Sequence, residues 1–227
     1  MTVLSETMED YIKAIYLLES QSGDWVSTSA LAERLDRAPP SVTSMVQKLD
    51  ERGFVDRKEY EGVTLTKEGE VVALEIIRHH RLLEQFLVDY LDFDWSEVHE
   101  EADRLEHHVT ERLEERIAEA VGNPAADPHG DPIPDPDLEL PESGETARLD
   151  EVSLETDVVV RRIHHQGEDE LRFLGELGIQ PGATVQLLEI APFGMLTIGT
   201  VGGEETIPQA VGHLIEVVPE TEVTAVD

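Results

Sequence analysis

His80 and Glu84 stand four residues apart, so on a helix their side chains project from one face, one turn above the other. In the following run His99, Asp103, Glu106 and His107 fall at offsets of 0, 4, 7 and 8, again a single helical stripe. A face that should bury leucine and valine carries imidazoles and carboxylates instead. Together these are the donor set for a divalent transition metal such as Mn, Fe, Co, Ni or Zn. The competing reading is a solvated acidic face, in a chain with 50 acidic residues. Matching stripes on two adjacent helices favour the metal. A zinc-protease signature is excluded, because His99-Glu100 is followed at position 103 by aspartate, not a second histidine.

Two helices must position these side chains. Apolar spacing predicts a long helix from residue 70 to 91 and a second run over 98–121, separated at Asp92-Phe93-Asp94-Trp95-Ser96. Upstream, the pattern predicts a helix over 7–19, a short one over 29–35, and a third that opens on Pro39-Pro40-Ser41 and stops at Gly53. Two β-like runs follow, 54–59 and 63–66, around a turn at Tyr60-Glu61-Gly62. Helix, short helix, helix and hairpin is the order of a winged helix-turn-helix, whose second motif helix would enter the major groove. In this region Thr7 and Asp10 can be read as a capping pair.

The formal net charge is -33. Between Ser29 and Gly69 seven basic residues (Arg34, Arg37, Lys48, Arg52, Arg57, Lys58, Lys67) face eight acidic ones, so the least acidic segment is the predicted DNA reader. Such acidity with clear apolar periodicity suggests a halophilic protein, since molar salt screens self-repulsion within about 3 Å. The absence of cysteine excludes a disulfide framework and thiolate ligands. No apolar run reaches the roughly 20 residues of a membrane span, and the N-terminus has no signal-peptide pattern. The expectation is a cytoplasmic protein with no membrane partner.

Residues 122–151 are rich in Pro, Gly and acid and read as a linker. Beyond them, short β-like runs at 158–163, 184–190, 195–201 and 214–218, with a helix over 169–177 ended by Gly178, predict a small barrel. The expected fold is mainly α with β: winged helix-turn-helix over 1–69, helical metal-binding and dimerisation domain over 70–121, linker, and barrel over 152–227.

The stretches MEDYIKAIYLL, PPSVTSMVQKLDERGFV, HHRLLEQFL, VHEEADRLEHH and PHGDPIP make the chain resemble, over essentially its whole length, the diphtheria-toxin-repressor family of metal-dependent transcriptional regulators. The first two look like the family's manganese branch, whereas a C-terminal SH3-like barrel of the FeoA type belongs to the longer, iron-type members. The resemblance implies a homodimeric repressor of metal uptake that binds a palindromic operator in double-stranded DNA when Mn(II) or Fe(II), two per chain, is bound. It implies one site from Asp10, Asp103, Glu106 and His107 and another from His80, Glu84 and His99. Barrel ligands of the longer members fall near Gly167 and Glu170, with Glu168 beside them; a glycine has no ligating side chain. Lys13 stands where short manganese-type members carry a carboxylate for a second metal. DNA contacts carry over to Pro40, Ser41, Ser44 and Lys48, with Arg37 and Lys58 as basic neighbours and the wing tip near 60–62. Iron-type members have methionine and cysteine where this chain has Asp10 and Asp103, and hard oxygen donors suit Mn(II) better than sulfur does. The rival from another class is a metalloenzyme or metal-buffering protein that uses the same stripe without specific DNA binding.

Overall fold

The computed structural model of the chain describes residues 4–58, 61–141, 144–164 and 167–220. They fall into two compact units, each built from discontinuous segments. The first comprises Met1–His80, Arg104–Glu111 and Pro134–Glu139; the second comprises Arg81–Asp103, Arg112–Ile133 and Leu140–Asp227. Residues 104–111 and 134–139 thus pack with the N-terminal elements.

In the first unit, α1 (Glu6–Ser22), α2 (Thr28–Arg34) and α3 (Pro39–Glu51) precede a hairpin of β1 (Val55–Lys58) and β2 (Gly62–Leu65), and the long α4 (Lys67–Leu91) begins. Each boundary has a local cause. Gly23 closes α1 in the left-handed conformation, its N–H donating to Glu19 O. Ser27 caps α2 through its side chain, and Pro39 and Pro40 open α3, where their missing N–H groups leave no helical bond unmade. Ile12, Ile15, Leu31, Val42, Leu49 and Val63 meet in one core with almost no exposure. Burying each such side chain is worth about 1.5–3 kcal/mol. Val26 pairs in both directions with Val63, which ties the turn before α2 to the wing. Tyr60, expected at the wing tip, lies outside the described residues.

Thr66 caps α4 by accepting from the Gly69 N–H at 3.1 Å. Gly69 itself is required by contact: a Cβ there would lie 2.0 Å from the Phe54 carbonyl oxygen. We therefore expect Gly69→Ala to lower stability by about 1–3 kcal/mol through overpacking, outweighing the roughly 1 kcal/mol that alanine gains in a helix. A thermal melt should show a fall of several degrees; an unchanged or higher midpoint would contradict the contact.

In the second unit, α5 (Val98–Leu105) begins and α6 (Glu111–Ala120) follows the 3-10 turn Glu106–His108, which belongs to the first unit. Beyond them come β3 (Ala147–Arg148), β4 (Asp157–Ile163), α7 (Glu168–Glu176), β5 (Thr184–Ala191), β6 (Met195–Thr200), β7 (Gly203–Pro208), α8 (Gln209–Gly212) and β8 (Ile215–Pro219). Among the described residues the strands form a six-stranded antiparallel sheet in the order β3-β8-β4-β5-β6-β7. Alternate residues such as Val158, Val160, Val185, Leu187, Leu196, Ile198, Ile215 and Val217 point to one core with Leu171 and Leu174 of α7. Trp95, from the break between α4 and α5, packs on that core, and its indole lies against Gly175.

The stretch read as a linker differs from expectation. Asp127, His129, Asp131 and Ile133 are buried. Asp127 Oδ1 accepts from the backbone N–H groups of His129 and Asp131, and the His129 carbonyl accepts from Ile163 N–H in β4. Proline and glycine here shape a packed turn; Gly130, at φ +87°, lets the backbone approach the Arg161 carbonyl closely.

Candidate metal centres

In the first unit, α1 and the 3-10 turn at 106–108 bring Asp10, Glu106 and His107 together. Their donor atoms lie within 4.8 Å of one another. His107 Nε2 is 3.0 Å from Asp10 Oδ1 and 3.8 Å from Glu106 Oε1, while its Nδ1 is 2.7 Å from Glu9 Oε2. The Glu106 side chain is 1% exposed and that of Asp10 46%, so the group has a buried floor and an open rim. Burial raises the pKa of Asp10, opposed by the neighbouring His107. Lys13 Nζ donates to Glu106 Oε2 at 2.7 Å and lies 3.0 Å from His80 Nδ1, which is itself 2.6 Å from the same oxygen. Because Glu106 Oε2 is thus engaged, Oε1 is the oxygen turned to His107. α1 begins at Glu6 with Ser5 as its N-cap, so Thr7 is already inside the helix and the capping role considered for Asp10 falls away. Met8, the nearby sulfur, is buried in the core. The donors present are nitrogen and hard oxygen, which fit Mn(II) or Fe(II).

The second unit holds a separate buried group of Glu84, Asp127 and His129, again within 4.8 Å. Asp127 Oδ2 and His129 Nδ1 are buried without a hydrogen bond among the described residues, and Glu84 Oε2 lies 3.7 Å from that nitrogen. Leaving such atoms unsatisfied costs about 1–3 kcal/mol each; a cation held among them removes that cost. Burial pushes Asp127 well above the usual carboxylate range, and the charges of Glu84 and Asp131 add to it. Burial opposes a charge on His129, but attraction to Glu84 and Asp127 overcomes it and carries the pKa to about 9. The imidazolium and the Arg81 guanidinium, whose Nε lies 3.8 Å from Asp127 Oδ2, together supply the local positive charge. His129 Nε2 faces the Trp95 carbonyl at 2.7 Å, which orients the ring.

The remaining expected ligands distribute as follows. Glu84 Oε1 meets His99 Nδ1 at 3.1 Å, and His99 Nε2 lies 3.6 Å from Asp103 Oδ2, all in the second unit. His80 belongs to the first unit, with Nδ1 on Glu106. Glu168 and Glu170 are exposed in the first turn of α7, where Arg172 pairs with Glu168. Neither joins a group of donors close enough to hold a metal among the described residues. Asp127 and His129 were missed on the sequence; the signal was a histidine between proline and glycine, followed by an apolar Ile133, inside an acidic stretch.

For nucleic acid, Pro40, Ser41, Ser44 and Lys48 are exposed on α3, away from the buried Val42, Val46 and Leu49. Arg37, just before α3, is also exposed. Lys58 on β1 pairs with Glu61 at 2.5 Å and sits 5.6 Å above the Trp25 ring. No helix among the described residues is long and apolar enough to cross a membrane.

Comparison with known proteins covers the whole arrangement. Residues 3–63 match the N-terminal DNA-binding domain of iron-dependent repressors, residues 66–135 their metal-binding and dimerisation domain, and residues 147–219 the FeoA domain. The chain is 36% identical to the iron-dependent repressor IdeR of Mycobacterium tuberculosis (strain ATCC 25618 / H37Rv) over an alignment of 230 residues, covering 96% of this chain and 99% of the relative. It is 40% identical over 104 residues to the HTH-type transcriptional regulator MntR of Lysinibacillus sphaericus (strain C3-41), covering 46% of this chain and 73% of that one. The solved structure of a manganese-dependent transcriptional repressor in complex with manganese superposes with a TM-score of 0.85 at 36% identity, over 93% of this chain and 99% of the other.

Proposed function

The chain belongs to the iron-dependent repressor family, and from that premise we propose that it is a cytoplasmic homodimeric repressor that binds operator DNA when Mn(II) or Fe(II) is bound. The observation that carries this reading is the meeting of Asp10 with Glu106 and His107. Asp10 stands on α1, which shares a core with the recognition helix α3; Glu106 and His107 come from a turn far along the chain. A divalent cation supplies the positive charge that lets the two carboxylates and the imidazole converge. Asp10, Glu106 and His107 would hold it, and in doing so would fix α1, and α3 with it, against residues 106–108. In a dimer this restricts the spacing of two α3 helices to half-sites about one helical turn apart. Glu84, Asp127 and His129 would hold a second ion, and their role is regulatory rather than catalytic. Pro40, Ser41, Ser44 and Lys48 face the DNA, which a metal buffer or metalloenzyme would leave without a task.

Selection of bound fragments from random double-stranded DNA tests this directly. With Mn(II) the protein should enrich a palindrome with half-sites about one turn apart, and with a chelator it should enrich nothing. Enrichment that ignores the metal, or none in its presence, overturns the proposal.

A further inference from the structure

We propose that Glu9 is a positioning residue for the metal: it accepts the Nδ1–H of His107 and so fixes the ring with the Nε2 lone pair turned toward Asp10 and Glu106. The inference rests on reading those three residues as ligands, and goes beyond it by assigning a role to a residue outside the donor set. A neutral imidazole has one N–H and one lone pair, so a partner at one nitrogen decides what the other presents. At His107 the two nitrogens face different carboxylates, Glu9 Oε2 at 2.7 Å from Nδ1 and Asp10 Oδ1 at 3.0 Å from Nε2. Both carboxylates come from successive residues of α1, and the His107 ring, 7% exposed, is held between them.

The two are not equivalent. Nε2 also lies 3.8 Å from Glu106 Oε1 and belongs to the convergent donor group; Nδ1 does not. If the proton sat on Nε2 it would occupy the position a cation needs, and the Nδ1 lone pair would oppose the Glu9 oxygen. With the proton on Nδ1, Glu9 is satisfied, and Nε2, Asp10 and Glu106 present only electron pairs to the same point. Losing such an outer partner typically costs about 10–100-fold in metal affinity.

The test uses the full chain labelled with 15N-histidine, with Zn(II) as a diamagnetic probe read at the His107 ring nitrogens. With Zn(II) bound, the wild-type ring should carry the metal on Nε2 and its proton on Nδ1. Glu9→Ala should let Zn(II) take either ring nitrogen and weaken its binding at His107 about 10–100-fold. Glu9→Gln, whose amide oxygen still accepts from Nδ1–H, should recover most of that loss. A Zn(II)-bound wild-type ring with the metal on Nδ1 overturns the proposal without any variant, as does Glu9→Ala with unaltered metal-bound nitrogen and affinity. Equal losses in Glu9→Gln and Glu9→Ala also overturn it, because that is the pattern of Glu9 as a direct ligand. Asp10→Ala is the control: if it leaves Zn(II) binding at His107 intact, the ligand reading itself fails.

Discussion

Asp10→Ala should yield a folded dimer that binds operator DNA no better with Mn(II) than without it. The Asp10 side chain is 46% exposed and contributes nothing to the core around Ile12 and Ile15. α1 begins at Glu6, so Asp10 lies inside the helix and caps nothing, and the stability of the metal-free protein should change little. What is lost is one of three converging donors, and with it the link between α1 and residues 106–108. Removing a direct ligand should cost at least the 100-fold or so at the upper end of the range for outer partners. Activation requires the metal to be bound, so at Mn(II) concentrations that just saturate the wild type, a variant that binds the ion at least about 100-fold more weakly stays almost unoccupied and unactivated. Anisotropy titrations with light scattering on the same samples check both halves. Normal activation of the variant would remove Asp10 from the mechanism.

The second large effect concerns salt. An ordinary repressor making six to ten phosphate contacts loses about 10³–10⁵ in affinity between 50 and 200 mM salt, through release of counterions from the DNA. Here the net charge is -33, and seven basic residues between Ser29 and Gly69 are offset by eight acidic ones. On the exposed face of α3 only Lys48 is cationic among the expected contacts, and Lys58 on the wing is already paired with Glu61. Few phosphates are therefore neutralised by protein cations, and carboxylates brought near phosphates must take up potassium. We expect the metal-bound protein to lose less than about tenfold in affinity from 0.2 to 1 M KCl, with a slope of log K on log salt near zero or positive. A slope as steep as that of a basic repressor would contradict this.

The pairs His80–Glu84 and His99–Asp103 were legible because helical spacing alone puts positions four apart on one face, and the apolar faces of α1, α3 and α4 were legible for the same reason. Glu106 and His107, read as part of the same helical stripe, stand instead on a 3-10 turn, because α5 ends at Leu105. The strands β4, β5, β6 and β8 showed as apolar runs. β7 did not, because Gly203, Glu204, Thr206 and Pro208 are exposed, Glu205 is half-buried and Ile207 is its one buried side chain. The buried Glu84–Asp127–His129 group was hidden by composition: Pro, Gly and Asp mark a linker when counted, and here the same residues form the tight hydrogen-bonded turn that carries His129 inward. Glu9 was invisible for another reason. Neighbouring residues on a helix point about a quarter-turn apart, and only the reach of the His107 ring joins Glu9 and Asp10.

The central claim is that metal and DNA binding are coupled, and such coupling must be reciprocal. The most direct measurement is therefore Mn(II) affinity by electron paramagnetic resonance titration of the wild-type protein, with and without saturating operator DNA, beside DNA affinity with and without Mn(II). The account predicts that DNA tightens Mn(II) binding by the same factor by which Mn(II) tightens DNA binding, and that both factors collapse to one in Asp10→Ala. Mn(II) affinity unmoved by operator DNA in the wild type would contradict it.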